Sequence, residues 1–347
     1  MQNYSFFGII ITMSKESKIV LTGDRPTGHL HLGHFVGSIQ NRVKLQDEAD
    51  KSFYMIADIQ GLTDNAKNPE KVRDNVIEVA LDNLACGLDP KKTTMFIQSE
   101  VPEIAELTVL FLNLVTLARL KRNPTVKDEM KQKGFGENVP AGFLAYPVTQ
   151  AADILFCKSN LIPVGEDQLP VIEQVNEIVD DFNRFYGETF SRVKHLVGDT
   201  PRLLGIDGNV KMGKSLNNAI YLSDTKEEIS KKVMGMYTDP DHIHVEDKGK
   251  VEGNVVFAYL DIFDTNKSEV EDLKTQYKKG GLGDVVIKKR LIDILESIIS
   301  PIREKRLELA KNPEKVMKIL EEGTNEARKI AKETMAEVKK VIKINYF

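Results

Sequence analysis

The sequence predicts an α/β protein: a doubly wound parallel sheet followed by a helical domain. Three observations support this. Short β-branched or apolar runs at 18–22, 52–57 and 94–98 alternate with helical patterns at 33–48, 69–86 and 103–121, as in βαβ units. Beyond about residue 223 strand signals stop, and helical periodicity takes over at 226–236, 255–263, 269–279, 285–299, 301–311 and 313–341. The first run also ends in a glycine- and histidine-rich turn that opens a helix, where doubly wound sheets bind ligands. The predicted divisions are an extension at 1–17, an α/β domain at 18–223 and a helical domain at 224–347.

The elements follow in order. Residues 18–22 (KIVLT) form the first strand and feed the turn Gly23-Asp24-Arg25-Pro26-Thr27-Gly28. The helix at 33–48 carries Phe35, Val36, Ile39, Val43 and Leu45 on its apolar side. Residues 52–57 (SFYMIA) read as a buried strand. The next helix opens on Pro69 and stops at Gly87. A third strand, 94–98 (TMFIQ), precedes the apolar stretch from Leu107 to Leu120. Glu106, Asn113 and Arg119 flank or interrupt that stretch, which is shorter than the ~20 residues of a membrane span. It is expected to be buried in the core or against a second copy.

Composition sets bounds. At 347 residues two domains are expected; 41% hydrophobic and 29% charged residues describe a globular chain. A net charge of −4 excludes a global basic field, so a nucleic-acid partner needs local patches. The two cysteines, Cys86 and Cys157, form no C-x-x-C pair, which argues against zinc, iron–sulfur and disulfide frameworks. The apolar run Phe6–Ile11 lacks a positive leader and a small-residue cleavage site. We expect a cytoplasmic protein with no membrane segment, and translation from Met13, with residues 1–12 a start-site artefact.

Two segments carry chemistry. In Thr22–His34 the strand-to-helix turn offers free backbone N–H groups and the positive helix end to phosphate. Gly33 lets a flat base approach the backbone, and His31 and His34 can donate to phosphate oxygens. The second segment, Lys211-Met212-Gly213-Lys214-Ser215, places two lysines around a glycine, suited to holding a polyphosphate as charge moves onto it.

Together H-x-G-H and K-M-x-K-S resemble the two signatures of class I aminoacyl-tRNA synthetases. The stretches GDRPTG (23–28), AYPVTQAAD (145–153), VGEDQ (164–168) and MYTDPDHIHVEDKGKVE (236–252) narrow the resemblance to bacterial tryptophanyl-tRNA synthetases. It runs from about Lys18 to the C-terminus. It implies a Rossmann-like catalytic fold, ATP as substrate with Mg²⁺, L-tryptophan and tRNA(Trp) as partners, and a homodimer. Where the family usually has K-M-S-K-S, Gly213 replaces a serine; the resemblance implies one lost hydroxyl contact and slower chemistry.

Activation is attack by the tryptophan carboxylate on the α-phosphate of ATP. That carboxylate is already ionised at neutral pH, so no general base is needed. The task is to align two anions and stabilise the leaving pyrophosphate. The resemblance gives Lys211, Lys214 and His34 catalytic roles. Its ATP contacts are Arg25, Pro26, Thr27, Gly33, His34, Gly165, Glu166, Asp167, Leu203, Lys211, Met212, Gly213, Lys214 and Ser215. Leu203 is expected to pack on adenine, and Glu166 and Asp167 to meet ribose or ammonium. Asp153 is the expected acceptor for the indole N–H, a donor-only group. Tyr146, Gln150 and Gln168 complete the amino-acid pocket. No resident metal site is predicted.

The helical domain is expected to read tRNA, with Lys278, Lys279, Lys288, Lys289, Arg290, Arg303, Lys305 and Arg306 as candidate phosphate contacts. Three rivals stand beside this reading: a tyrosine-specific sister enzyme, since Asp153 also suits a phenol, a small-molecule nucleotidyltransferase, and a catalytically silent tRNA-binding paralogue.

Overall fold

The computed structural model describes residues 17–197, 203–208 and 212–346, with the Ser215 side chain outside them. Residues 1–12 and Met13 therefore fall outside the described residues.

Five parallel strands form one sheet in the order β3-β2-β1-β4-β5. They are β1 (Ile19–Asp24), β2 (Lys51–Ile56), β3 (Thr93–Ile97), β4 (Leu161–Val164) and β5 (Lys194–Val197). The chain winds outward from β1 to β3, then returns to place β4 on the other side of β1. This is the doubly wound fold, with its switch point between the carboxyl ends of β1 and β4. Phe53, Tyr54 and Phe96 are buried in these strands, as expected of a sheet covered on both faces.

The helix after the glycine–histidine turn is composite: α1 (Leu32–His34), a π-helical turn at Phe35–Ile39, then α2 (Gln40–Glu48). Apolar spacing carries no sign of the wider turn. Helices α3 (Asp58–Asn65) and α4 (Pro69–Ala85) follow β2. The run predicted as one helix at 103–121 is two, α5 (Pro102–Leu112) and α6 (Leu117–Arg122), because Thr116 caps α6 by accepting the Arg119 N–H. Leu107, Phe111 and Leu120 are buried, while Val109 and Leu117 are 61% and 59% exposed, so one face packs inward and the other stays open.

Helices α7 (Pro124–Lys133) and α8 (Ala141–Leu155) lead to β4, and α9 (Leu169–Tyr186) joins β4 to β5. Then come α10 (Lys226–Met234), α11 (Val255–Phe263), α12 (Lys267–Lys279), α13 (Asp284–Ala310) and α14 (Pro313–Val341). The two helices expected at 285–299 and 301–311 are the single α13. It continues through Pro301 because Ile299 and Ile302, on either side, bury in the same core. Helix α14 covers the edge strand β3. Thr324 Oγ1 accepts the Ile97 N–H at 3.2 Å, and a Cβ on Gly323 would collide with the Met95 carbonyl. Among the described residues no helix is long and apolar enough to cross a membrane.

Candidate functional site

A cavity of about 1030 Å³ opens at the carboxyl ends of β1, β2 and β4. Its wall carries Arg25, Thr27 and His34 from the first turn, Gly165 and Gln168 after β4, and Met212, Gly213 and Lys214 from the lysine loop. The two signature segments thus meet on one cavity. Lys214 Nζ donates to the Gly28 carbonyl at 2.5 Å. Gly28 has φ +140°, and a Cβ there would touch Lys214 Cδ at 3.4 Å, so glycine suits this closure.

The histidines cap their own helix. His31 Nδ1 accepts the Gly33 N–H at 3.1 Å, and His34 Nδ1 accepts the His31 N–H at 3.3 Å. Both rings use Nδ1 as acceptor, which assigns the proton to Nε2 and leaves that N–H as a donor. Burial, helped by the neighbouring His34 and Lys214, pushes His31 down to about 2; burial, opposed by Asp24, pushes His34 down to about 4. Both are therefore neutral donors at physiological pH. A Cβ on Gly33 would lie 3.0 Å from the His31 ring, so any larger residue would disturb this cap.

Beneath the turn lies a buried polar network missed by sequence reasoning. Arg42 Nη1 donates to Asp24 Oδ2 at 2.7 Å and to Asn83 Oδ1. Tyr54 Oη donates to Asp24 Oδ2 at 3.0 Å, and the Arg42 guanidinium lies over the Tyr54 ring. Burial alone would raise the Asp24 carboxyl, but Arg42 holds it well below the usual carboxylate range. Burial lowers Lys214 to about 8, against the pull of Asp24 and Asp82.

Deeper in the cavity, α8 presents Tyr146, Gln150 and Asp153. Asp153 is 2% exposed; Oδ1 accepts Gln98 Nε2 at 2.7 Å, and Oδ2 has no hydrogen-bond partner among the described residues. Burial pushes its carboxyl up to about 7, with the Asp58 charge adding to the effect. Gln98, at the carboxyl end of β3, in turn accepts the Gln60 N–H at 3.1 Å, which fixes which end of its amide faces Asp153.

The mouth is charged. Arg25 pairs with Asp64 at 2.9 Å, Lys133 pairs with the same carboxylate at 2.8 Å, and Glu129 lies beside Tyr146. Lys71 also lines the wall. Apart from Arg25 these groups come from α3, α4 and α7, and their sequence surroundings carry no distinctive pattern. Gln98 was more accessible to reasoning, since it ends a predicted strand on the ligand-binding side of the sheet.

Other expected contacts sit elsewhere. Pro26 is buried, where it would touch a Cβ on Gly61; Leu203 is buried in the core, its carbonyl accepting the Met212 N–H at 3.1 Å. Glu166 and Asp167 are exposed beside the cavity rather than on its wall. Gly33 lies just behind the wall, against His31 and Met212. Lys211 and the Ser215 side chain lie outside the described residues. In the helical half, Lys288 caps α10 through the Met234 and Met236 carbonyls at 3.0 Å, and Arg290 pairs with Asp264 at 2.6 Å. Arg303 and Arg306 also turn inward, whereas Lys278, Lys279, Lys289 and Lys305 are exposed.

Fold and site define a nucleotide-handling enzyme of the doubly wound class, with a loop lysine set against a helix-opening turn. Comparison narrows the class: the model of the tRNA synthetases class I (W and Y) matches residues 13–300, and the chain belongs to that family. It is 56% identical over 339 residues to the tryptophan–tRNA ligase of Clostridium longisporum, covering 96% of this chain and 99% of that one. Against the tryptophan–tRNA ligase of Streptococcus agalactiae serotype III it is 54% identical over 336 residues, 95% of this chain and 98% of the relative. The crystal structure of Campylobacter jejuni tryptophanyl-tRNA synthetase complexed with ADP and tryptophan superposes with a TM-score of 0.82 at 31% identity, covering 93% and 99% of the two chains.

Proposed function

We propose that the protein joins L-tryptophan to tRNA(Trp) in two steps. The tryptophan carboxylate attacks the α-phosphate of ATP; a C–O–P bond forms, the bond to the β-phosphate oxygen breaks, and pyrophosphate leaves. The 2′-hydroxyl of the terminal tRNA adenosine then attacks the activated carbonyl, and AMP leaves. ATP enters with Mg²⁺ as its counter-ion. Arg25, Thr27, Gly165, Met212 and Gly213 lie where they can contact the nucleotide. His34 donates from Nε2, and Lys214, with Lys211, stabilises the departing pyrophosphate. Met212 acts mainly as the loop's anchor, since its side chain is in the core.

The observation carrying tryptophan specificity is the unpartnered Oδ2 of Asp153 inside the cavity that both signatures enclose. A buried carboxylate oxygen without a donor is costly, and an indole N–H satisfies it. Tyr146, Gln150 and Gln168, with Glu129 beside Tyr146, supply polar groups for the α-ammonium and the rim. Amino-acid-dependent exchange of pyrophosphate into ATP, run across all twenty amino acids, tests this. Exchange with tryptophan is expected; exchange only with tyrosine, or with none, would overturn it. The chain contains no tryptophan, so indole fluorescence in a binding titration reports the substrate alone.

Residues 18–223 are proposed to act as the catalytic unit and 224–347 as the tRNA-reading unit, with the exposed Lys279, Lys289 and Lys305, and Lys278 on exchanging its Glu252 partner, meeting phosphates. The open apolar face of α5 and α6, with Val109, Leu112 and Leu117 exposed, supports a homodimer. Such an enzyme works where translation occurs, in the cytoplasm.

A further inference from the structure

The activation step involves no tRNA, yet one helix of the helical half is tied to the helix-opening turn and to Tyr221 on the cavity wall. Two arginines a turn apart on α13 make the ties. Arg306 is 8% exposed and donates from Nε to Asp82 Oδ1 at 2.7 Å. Its Nη2 meets Glu78 and lies 3.2 Å from His29 Nδ1. The other oxygen of Asp82 accepts the backbone N–H of Leu30 at 2.7 Å, immediately before His31. Arg303 donates to the Asp224 carbonyl at 2.7 Å, and the Asp224 carboxylate accepts the Tyr221 N–H at 2.8 Å. Tyr221 lines the cavity and its backbone bridges to that of His31.

The energetics give this arrangement a direction. Leu30 is fully buried, so its N–H needs a partner, and Asp82 provides it. Asp82 is itself fully buried, and a buried carboxylate persists only when a cation faces it. Arg306 is that cation, and its planar fork spans Asp82 and Glu78 together, which a lysine cannot reproduce. The position of the turn that caps His31, Gly33 and His34 therefore depends on a side chain from α13.

We infer that Arg306 is a positioning residue for ATP, acting through Asp82 on the Leu30–His34 turn, so that tryptophan activation depends on the helical half even without tRNA. The inference rests on the activation reading above. The sequence alone suggests a different role for Arg306, a contact to tRNA phosphate, and the two roles separate experimentally.

Arg306→Lys keeps a buried cation but loses the fork; Arg306→Met removes both. Pyrophosphate exchange without tRNA is measured for each against wild type. The expected result is a KM for ATP raised about tenfold in Arg306→Met, as for one lost charge-assisted hydrogen bond, with Arg306→Lys between it and wild type. The KM for tryptophan should stay within about twofold, because the Asp153 pocket is built on α8 and β3. An unchanged KM for ATP in folded Arg306→Lys overturns the inference, as does a parallel rise in both KM values. So does intact exchange combined with weaker tRNA charging and a shallower salt dependence, which would return Arg306 to tRNA contact. If Arg306→Met fails to fold, the lysine variant carries the test. Absence of tryptophan-dependent exchange in the wild type would instead refute the activation reading.

Discussion

Replacing Asp153 by asparagine exchanges one carboxylate oxygen for an NH₂ group in a site where the other oxygen is held by Gln98. Asparagine's oxygen still accepts from Gln98, which holds Asp153 at 2.7 Å. Its NH₂ then occupies the place of Oδ2 and confronts the indole N–H, donor against donor. Losing a hydrogen bond to a charged acceptor costs about 1.5–3 kcal/mol, and the opposed donors push toward the upper end. Converted to rate, kcat/KM for tryptophan in pyrophosphate exchange should fall roughly a hundredfold. The analogue with sulfur in place of the ring N–H should be used almost equally by both enzymes. Stability should move the other way. The Asp153 carboxyl, at about 7 when folded and 3.8 when free, holds its proton more firmly in the folded state. Its contribution therefore becomes steadily less favourable as pH rises through that window, and stays so above it. The amide of Asp153→Asn cannot ionise, so the variant should melt a few degrees higher than wild type at pH 8, with the difference vanishing toward pH 4. A variant that loses activity equally on both substrates, or melts lower at pH 8, would refute the reasoning.

Lys214→Ala should lower adenylate formation by about a hundredfold in single-turnover measurements. Because burial lowers Lys214 to about 8, kcat/KM should fall above that pH in the wild type, and Lys214→Arg, which stays protonated, should lose that alkaline limb. Gly213 is extended, at φ −155° and ψ 140°, and caps the short turn Lys214–Leu216 without a side chain. Serine there would add only a few tenths of a kcal/mol of capping, so Gly213→Ser should change the exchange rate by no more than about threefold. Arg42→Met leaves Asp24 buried without its cation and should cost about 3–5 kcal/mol in denaturant unfolding. The Arg42→Met, Asp24→Asn double variant should lose less than the two single losses combined.

The parts of this molecule legible in its sequence are those encoded by local patterns. Strands β1 to β3 follow from β-branched and apolar runs, and the turn at Gly23–His34 from its glycines and histidines. Strands β4 and β5 are four residues each, partly exposed, and lack alternation, so periodicity offers them no signal. Asp153 can be singled out because the stretch 145–153 carries the family resemblance and a donor-only indole N–H calls for a carboxylate acceptor. Its partner Gln98 lies 55 residues away and is tied to it by tertiary contact alone. The same holds for Arg306 and Asp82, 224 residues apart. A basic cluster on a predicted helix looks the same whether its guanidinium turns to solvent or inward to a buried carboxylate. Only the fold distinguishes them, which is why the sequence alone points Arg306 and Lys288 toward tRNA.

The electrostatics of the cavity follow from one constraint: it must attract a polyanion without binding it so firmly that pyrophosphate cannot leave. Permanent cations packed around the turn would hold substrate and product alike. The turn instead presents two neutral imidazoles, whose Nε2 donors are directional but carry no net charge, while the N–H groups of His31 and Gly33, expected from the sequence to meet phosphate, are taken up by those same rings. The fixed cation beneath it, Arg42, is already neutralised by Asp24, and Arg25 shares Asp64 with Lys133. Lys214 brings its charge to the wall resting on the Gly28 carbonyl, a neutral acceptor. That partner is a weak one, so moving Nζ to a developing negative charge costs little and gains most when that charge appears. A cation held so lightly on a loop, set against neutral donors on a rigid turn, favours the transition state over either ground state.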